Sequence, residues 1–195
     1  MNRPCTVLLR PARLQDAPAM AGLSRALIEA GLVWRYTPPR MAALIREPET
    51  MALVACAGLP TGPQTLARTD PRTDQRTDPR TDPQTGPATR PTLHGFAVMH
   101  FAEAQAHLAL LCVQPQQRQQ GIGRSLIDWL TASARVAGMA SISLELRADN
   151  RAALGFYRRL GFVETALVPG YYDARIAARR MTLRLGPAAA GVAPP

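Results

Sequence analysis

The 195-residue chain is long enough for about one domain with a core of its own. Apolar residues make up 47% and charged residues 19%, which excludes a wholly disordered polymer. The formal charge is +9, and all 23 cationic side chains are arginine. The absence of lysine excludes Schiff-base chemistry and a Walker-A phosphate lysine. Val7 to Arg10 reads as a first strand. Asp16 is placed to N-cap a helix whose Met20, Leu23, Leu27 and Ile28 recur at helical spacing, ending near Gly31. Thr37 and two prolines open a second helix with Met41, Leu44 and Ile45 on one side. Strands are expected at Met51 to Ala57, Leu93 to Phe101 and His107 to Val113. A helix follows from Gly121 to Gly138, with Ile122, Leu126, Trp129 and Leu130 as its apolar stripe and Gly138 as its C-cap. Then come a strand (Ile142 to Arg147), a helix (Asn150 to Leu160) and two strands (Phe162 to Val168, Arg180 to Leu185). This order predicts an α/β (α+β) domain over residues 1–186, with a mixed, mostly antiparallel sheet of about seven strands flanked by about four helices.

Residues 58–92 break the pattern. They contain the repeat RTDP-RTDQ-RTDP-RTDP-QTGP, seven of the 18 prolines and no aromatic residue, so they are expected to form a flexible insert in a hairpin. Residues 187–195 are expected to be a disordered tail. Cys5, Cys56 and Cys112, with His94, His100 and His107, show no metal-ligand spacing, so no metal is expected. The odd cysteine count, the lack of an apolar leader and the lack of a span of about 20 apolar residues point to a cytoplasmic protein off the membrane. Interspersed acids count against nucleic acid as the partner despite the charge.

The segment LALLCVQPQQRQQGIGRSLIDWL carries the first chemical signal. An apolar strand stops at Pro115, and a polar loop leads to Gly121-Ile122-Gly123 at a helix start. Side-chain-free backbone N–H groups there, with the helix dipole, suit phosphate oxygens, and Arg118 and Arg124 add charge. A Rossmann loop would place a third glycine where Leu126 stands. A plain glycine turn before a structural helix is the other reading. The second signal is SISLELRADNRAALGFYRRLGF. Its strand sets Ser143 and Glu145 on one face, opposite Ile142, Leu144 and Leu146. Its helix sets Asn150 and Tyr157 seven residues apart, within about 20° of one stripe.

Together these two segments resemble the GNAT superfamily of N-acetyltransferases, and within it the RimI-like ribosomal-protein-alanine N-acetyltransferases. The resemblance implies the GNAT fold, acetyl-CoA as cosubstrate and direct transfer of its acetyl group to an amine, such as a peptide N-terminus. By that resemblance Leu111, Cys112 and Val113 hydrogen-bond the pantetheine arm, and Arg118, Gln119, Gln120, Gly121, Ile122, Gly123 and Arg124 wrap the pyrophosphate. Asn150 binds the cofactor near its pantetheine, or caps its helix, or both. Glu145 is implied as general base, directly or through water, and Tyr157 as the acid that protonates the thiolate while touching the cofactor. Otherwise Glu145 is a strand glutamate paired with an arginine, and Tyr157 a core aromatic. Trp34, Tyr36, Tyr171 and Tyr172 are implied to line the acceptor channel, between residues 31–39 and 169–178; for Trp34 and Tyr36 a packing role is equally open. Arg175 to Arg180 replaces the family's acidic pair, so an arginine-lined mouth favouring an acidic or neutral acceptor over a polyamine is expected. A small-molecule amine acetyltransferase and a non-catalytic acyl-CoA sensor are the rival readings, as a monomer or homodimer.

Overall fold

A computed structural model describes residues 7–57 and 92–186. In chain order these are β1 (Val7–Pro11), α1 (Ala17–Leu27), α2 (Pro38–Arg46), β2 (Thr50–Ala57), β3 (Leu93–Ala102), β4 (Gln105–Val113), α3 (Ile122–Val136), β5 (Ser141–Arg147), α4 (Arg151–Arg159), β6 (Val163–Tyr172) and β7 (Ile176–Arg184). The strands form one seven-stranded sheet in the order β1-β2-β3-β4-β5-β7-β6. Every neighbouring pair is antiparallel except β4 and β5, which run parallel. The seven strands and four helices are those expected from the sequence. The repeat insert and the tail lie outside the described residues, as does Cys5.

Each face of the sheet has its own core. α1 and α2 cover one face through Met20, Met41 and Leu44 on Val54, Phe96 and Val98. α3 and α4 cover the other through Leu126, Leu130 and Tyr157 on Leu53, Ala97, Met99, Ile142 and Leu144. The central β3 is buried from Leu93 to Met99, which is why that stretch reads as an unbroken apolar run with little alternation. A register shift opposite Val98 and Met99 leaves Ala109 of β4 as the extra residue of a β-bulge. The bulge moves the buried side chains of β4 from one face to the other. Ala106 and Leu108 pack toward α3, whereas Leu110 and Cys112 pack toward α1.

Several local expectations are corrected. Asp16 does not cap α1 with its side chain; its carboxylate accepts from both Arg10 Nη atoms at 2.7 and 2.9 Å and from the Arg13 N–H at 2.7 Å. A bidentate guanidinium is the stronger partner, and it ties the start of α1 to β1. α1 itself stops at Leu27, short of Gly31. Trp129 is 38% exposed, and Ile127 fills the buried stripe of α3 instead. The stretch expected as a loop from Pro169 to Ala178 is mostly a hairpin, with β6 running to Tyr172 and β7 starting at Ile176. Pro169 is tolerated there because β6 is the sheet edge and needs no N–H on its free side.

Candidate active site

β4 and β5 pair only at Gln105–His107 with Ser141–Ser143. Beyond that point they part, leaving the β5-facing edge of β4 without a strand partner from Leu108 onward. The gap opens into a cavity of about 510 Å³ reached by residues from both sides of the sheet. Tyr157 enters from α4, Glu145 and His107 stand on β5 and β4, and Tyr36, Tyr171 and Tyr172 close the α1 side. Leu111 and Asn150 also line it. Cys112 and Val113 continue the same strand edge past its end, and residues 118–124 follow at the head of α3.

That head leaves its backbone donors open. Gly121 sits at φ +82°, a conformation L side chains rarely adopt, and as N-cap it offers no side chain to the first turn. The N–H groups of the first turn therefore face outward unpaired within the helix. The preceding Gln119 is also left-handed, at φ +62°. Arg118 Nε donates to the Val113 carbonyl at 3.2 Å, fastening the loop to the end of β4. Arg124 reaches Asp128 along the helix at 3.5 Å.

Tyr157 is 8% exposed, with its ring edge-on to Phe156 and Phe162 at centroid distances of 5.1 and 5.4 Å. Burial, reinforced by Tyr172, raises its phenol far above the usual tyrosine range, so the hydroxyl stays protonated. Glu145 is the opposite kind of group. One oxygen accepts from Arg180 Nε at 2.7 Å and the other lies 3.5 Å from His107 Nε2. The carboxylate is therefore paired with an arginine and also lines the cavity. Asn150 caps α4, its side chain accepting from the Ala153 N–H at 3.0 Å, while also lining the cavity.

The acceptor side is closed by a contact between two loops. Asp173, at φ +48° in the β6–β7 turn, accepts from the Val33 N–H at 3.2 Å and from Arg35 at 3.3 Å. Glu29 is buried below and accepts from Ser24 and from the N–H groups of Arg35 and Tyr36. It thereby fixes the α1–α2 connection over the slot. Burial, then Glu29, raises the Tyr36 phenol. Tyr172 donates to the Glu145 carbonyl at 3.4 Å and packs edge-on to Tyr171 at 4.9 Å. Trp34 is not part of the cavity: its indole N–H goes to the Tyr36 carbonyl and its ring lies under Arg25. Three arginines of the expected mouth are paired, Arg179 with Glu164, Arg180 with Glu145 and Arg35 with Asp173, and Glu164 is shared with Arg158.

Cys112 packs against α1, its thiol pushed up to about 12 by burial, so it offers no thiolate nucleophile. Glu29, His107 and Asp173 were not singled out for this site from the sequence. The partners of His107 and Asp173 lie far away in the chain, those of Glu29 are the N–H groups of an irregular connection, and only the alternation that puts His107 opposite Ala106 and Leu108 hinted at its face.

Residues 89–164, from the start of β3 through α4, match the acetyltransferase (GNAT) domain family. Over 77 residues the chain is 36% identical to the ribosomal protein bS18-alanine N-acetyltransferase of Escherichia coli (strain K12), covering 40% of this chain and 52% of that protein. The match thus spans about half the length of that curated relative. The crystal structure of the ribosomal-protein-S18-alanine N-acetyltransferase from Escherichia coli has a TM-score of 0.65 at 21% identity, over 96% of this chain and 99% of that one. The PaiA N-acetyltransferase from Thermoplasma acidophilum, in complex with coenzyme A, has a TM-score of 0.66 at 16% identity, over 92% and 99%.

Proposed function

We propose that this protein is an acetyl-CoA-dependent N-acetyltransferase that passes the acetyl group directly to an amine, with a peptide N-terminus as the acceptor class. The observation that carries the reading is the slot between β4 and β5, where the buried Tyr157 hydroxyl and the Glu145 carboxylate converge from opposite faces of the sheet. The free β4 edge from Leu108 to Val113 suits the amides of a pantetheine arm, and the open head of α3 suits a pyrophosphate. An ammonium is no nucleophile, so the Glu145 end of the slot serves to remove its proton. Tyr157, protonated throughout the working pH range, gives a proton to the departing thiolate. The protonated, buried Cys112 argues for direct transfer over an acyl-enzyme. The bS18-alanine N-acetyltransferase relationship supports a protein N-terminus as acceptor. Arg179, Arg180 and Arg35 each have a carboxylate partner, which weakens the preference for an acidic acceptor. No described helix is long and apolar enough to cross a membrane. The free thiols of Cys56 and Cys112 support a cytoplasmic setting. Thiol release from acetyl-CoA is the test, run against a panel of N-terminal peptides and small amines. Release with peptides bears the reading out; release with small amines alone reassigns the acceptor, and tight acetyl-CoA binding without release from any amine identifies a sensor.

A further inference from the structure

We propose that the first proton acceptor in this site is Nε2 of His107, with Glu145 serving as the counter-charge of the imidazolium and not as the base itself. The inference rests on the acetyltransferase reading and assigns its deprotonation step to an atom. His107 stands on β4 beside Ser143 and Glu145 of β5, at the last paired rung before the strands part. Its Nδ1 lies 3.2 Å from Ser143 Oγ. Ser143 is 8% exposed, and its hydroxyl donates to the Ala106 carbonyl at 3.4 Å. A hydroxyl has one proton. With that proton on Ala106, Ser143 can only accept from His107, which places the imidazole proton on Nδ1 and leaves Nε2 with its lone pair facing the cavity.

Glu145 is poorly placed to be the base. Its Oε1 already accepts from the Arg180 guanidinium at 2.7 Å, so that oxygen is committed to another donor. Its Oε2 lies 3.5 Å from His107 Nε2, too far for a formed neutral hydrogen bond and well placed for an ion pair once Nε2 gains a proton. The other charged and titratable neighbours are few. His100 of β3 lies directly across from His107, with Thr50 and Glu47 behind it. Also lining the cavity are Arg147 of β5 (paired with Asp149), Tyr171 and Tyr172 of β6, Asp173 of the β6–β7 turn, and Glu29, Arg35 and Tyr36 of the α1–α2 connection. Among the described residues, Glu145 is the carboxylate within ion-pair distance of the ring.

The proton count closes. Nε2 takes one of the three protons of the acceptor ammonium, and the freed lone pair forms the bond to the thioester carbon as the carbonyl π pair moves to oxygen. When that pair returns, the C–S bond breaks with its electrons on sulfur, and sulfur takes the Tyr157 proton. A second proton leaves the nitrogen and restores the phenol, and the imidazolium, whose side chain is 40% exposed, returns its proton to solvent. The sum is one amide, one thiol and one released proton.

Two measurements test this in the full-length chain. In ¹⁵N-resolved spectra the neutral His107 ring should carry its proton on Nδ1, and Ser143→Ala should shift it toward Nε2. A wild-type ring protonated on Nε2 overturns the assignment whether or not any acceptor has been found. In thiol release at saturating acetyl-CoA, His107→Gln should lower kcat about 10²-fold and remove the acid limb of the pH–rate profile, with acetyl-CoA affinity unchanged. A His107→Gln enzyme that keeps that limb and its rate returns the base to Glu145. A folded wild-type chain that releases no thiol with any amine overturns the acetyltransferase reading itself, and this inference with it.

Discussion

Tyr157 carries two loads at once, as a ring wedged between Phe156 and Phe162 and as a hydroxyl in the slot, and a single substitution separates them. Tyr157→Phe retains the ring and removes the proton donor. Turnover should fall by about 10²-fold or more, the scale of a lost acid–base group. Acetyl-CoA affinity should move by less than about 1 kcal/mol, the worth of one hydroxyl hydrogen bond, in a calorimetric titration. Wild-type turnover in this variant would return Tyr157 to the core. Asp16 supports a different measurement. Burial alone would raise its carboxyl, but the Arg10 hydrogen bonds and the Arg13 N–H outweigh that and hold it below the usual range. A depressed folded pKa means the stabilisation is complete above the unfolded value, about 3.9, and is lost as pH falls through the folded one. Asp16→Asn should therefore lower the melting temperature at pH 7, with the deficit shrinking on approach to pH 3. An equal deficit at both pH values would show that the ion pair is not its source. At this scale Glu145, Asn150 and Tyr157 were legible because their spacing on one strand and one helix fixes their faces. His107 and Asp173 were not, since each acts through a residue far away in the chain.

At the scale of elements, the site depends on how closely β3 approaches β4. A Cβ placed on Gly95 would stand 2.6 Å from the Cys112 carbonyl oxygen, on the strand whose free edge is assigned to pantetheine. Backbone cannot yield as a flexible side chain can, so Gly95→Ala must push the two strands apart. The expected cost is about 1–3 kcal/mol of stability, as for other overpacked sites. Acetyl-CoA binding should weaken in the same variant, read by denaturant unfolding and calorimetry on one preparation. A stable variant with intact affinity would show that the β4 edge is not the cofactor's seat. Gly123→Val acts elsewhere. Its Cβ would meet the Phe156 ring at 3.4 Å and a Val113 methyl at 3.7 Å, both ordinary side-chain contacts, so the fold should persist while the methyl groups crowd the head of α3. A tenfold loss of acetyl-CoA affinity, about 1.4 kcal/mol, is expected. The glycine pair was legible as the start of α3, because a left-handed N-cap such as Gly121 favours a residue without a side chain. The β4 bulge was not, because Ala109 sits in an apolar run in which neither face is marked by polar residues.

For the molecule as a whole, the order of elements was legible because each has its own period and its own stops. The sheet order was not, since it depends on β7 inserting between β5 and β6. Residues 58–91 join β2 to β3 in the sequence and lie outside the described residues. Ala57 donates to the Thr92 carbonyl at 3.1 Å and Cys56 pairs with Leu93, so β2 and β3 hold both ends of that segment together. We propose that its repeat contributes nothing to the core: it has no aromatic residue, and Arg and Asp alternate through it at nearly equal numbers. Deleting Ala67 to Pro87 leaves residues 58–66 and 88–91 to span the hairpin. The closure entropy of a loop grows only with the logarithm of its length, so shortening it this far changes stability by less than about 1 kcal/mol, and in the favourable direction. The cavity, the head of α3 and the Asp173 contact are all built from other residues. The melting temperature should therefore stay the same or rise slightly, and acetyl-CoA affinity should match the full-length chain. Loss of a cooperative transition in the shortened chain would show the repeat to be structural. Unchanged folding with lost thiol release would instead place the repeat in acceptor recruitment.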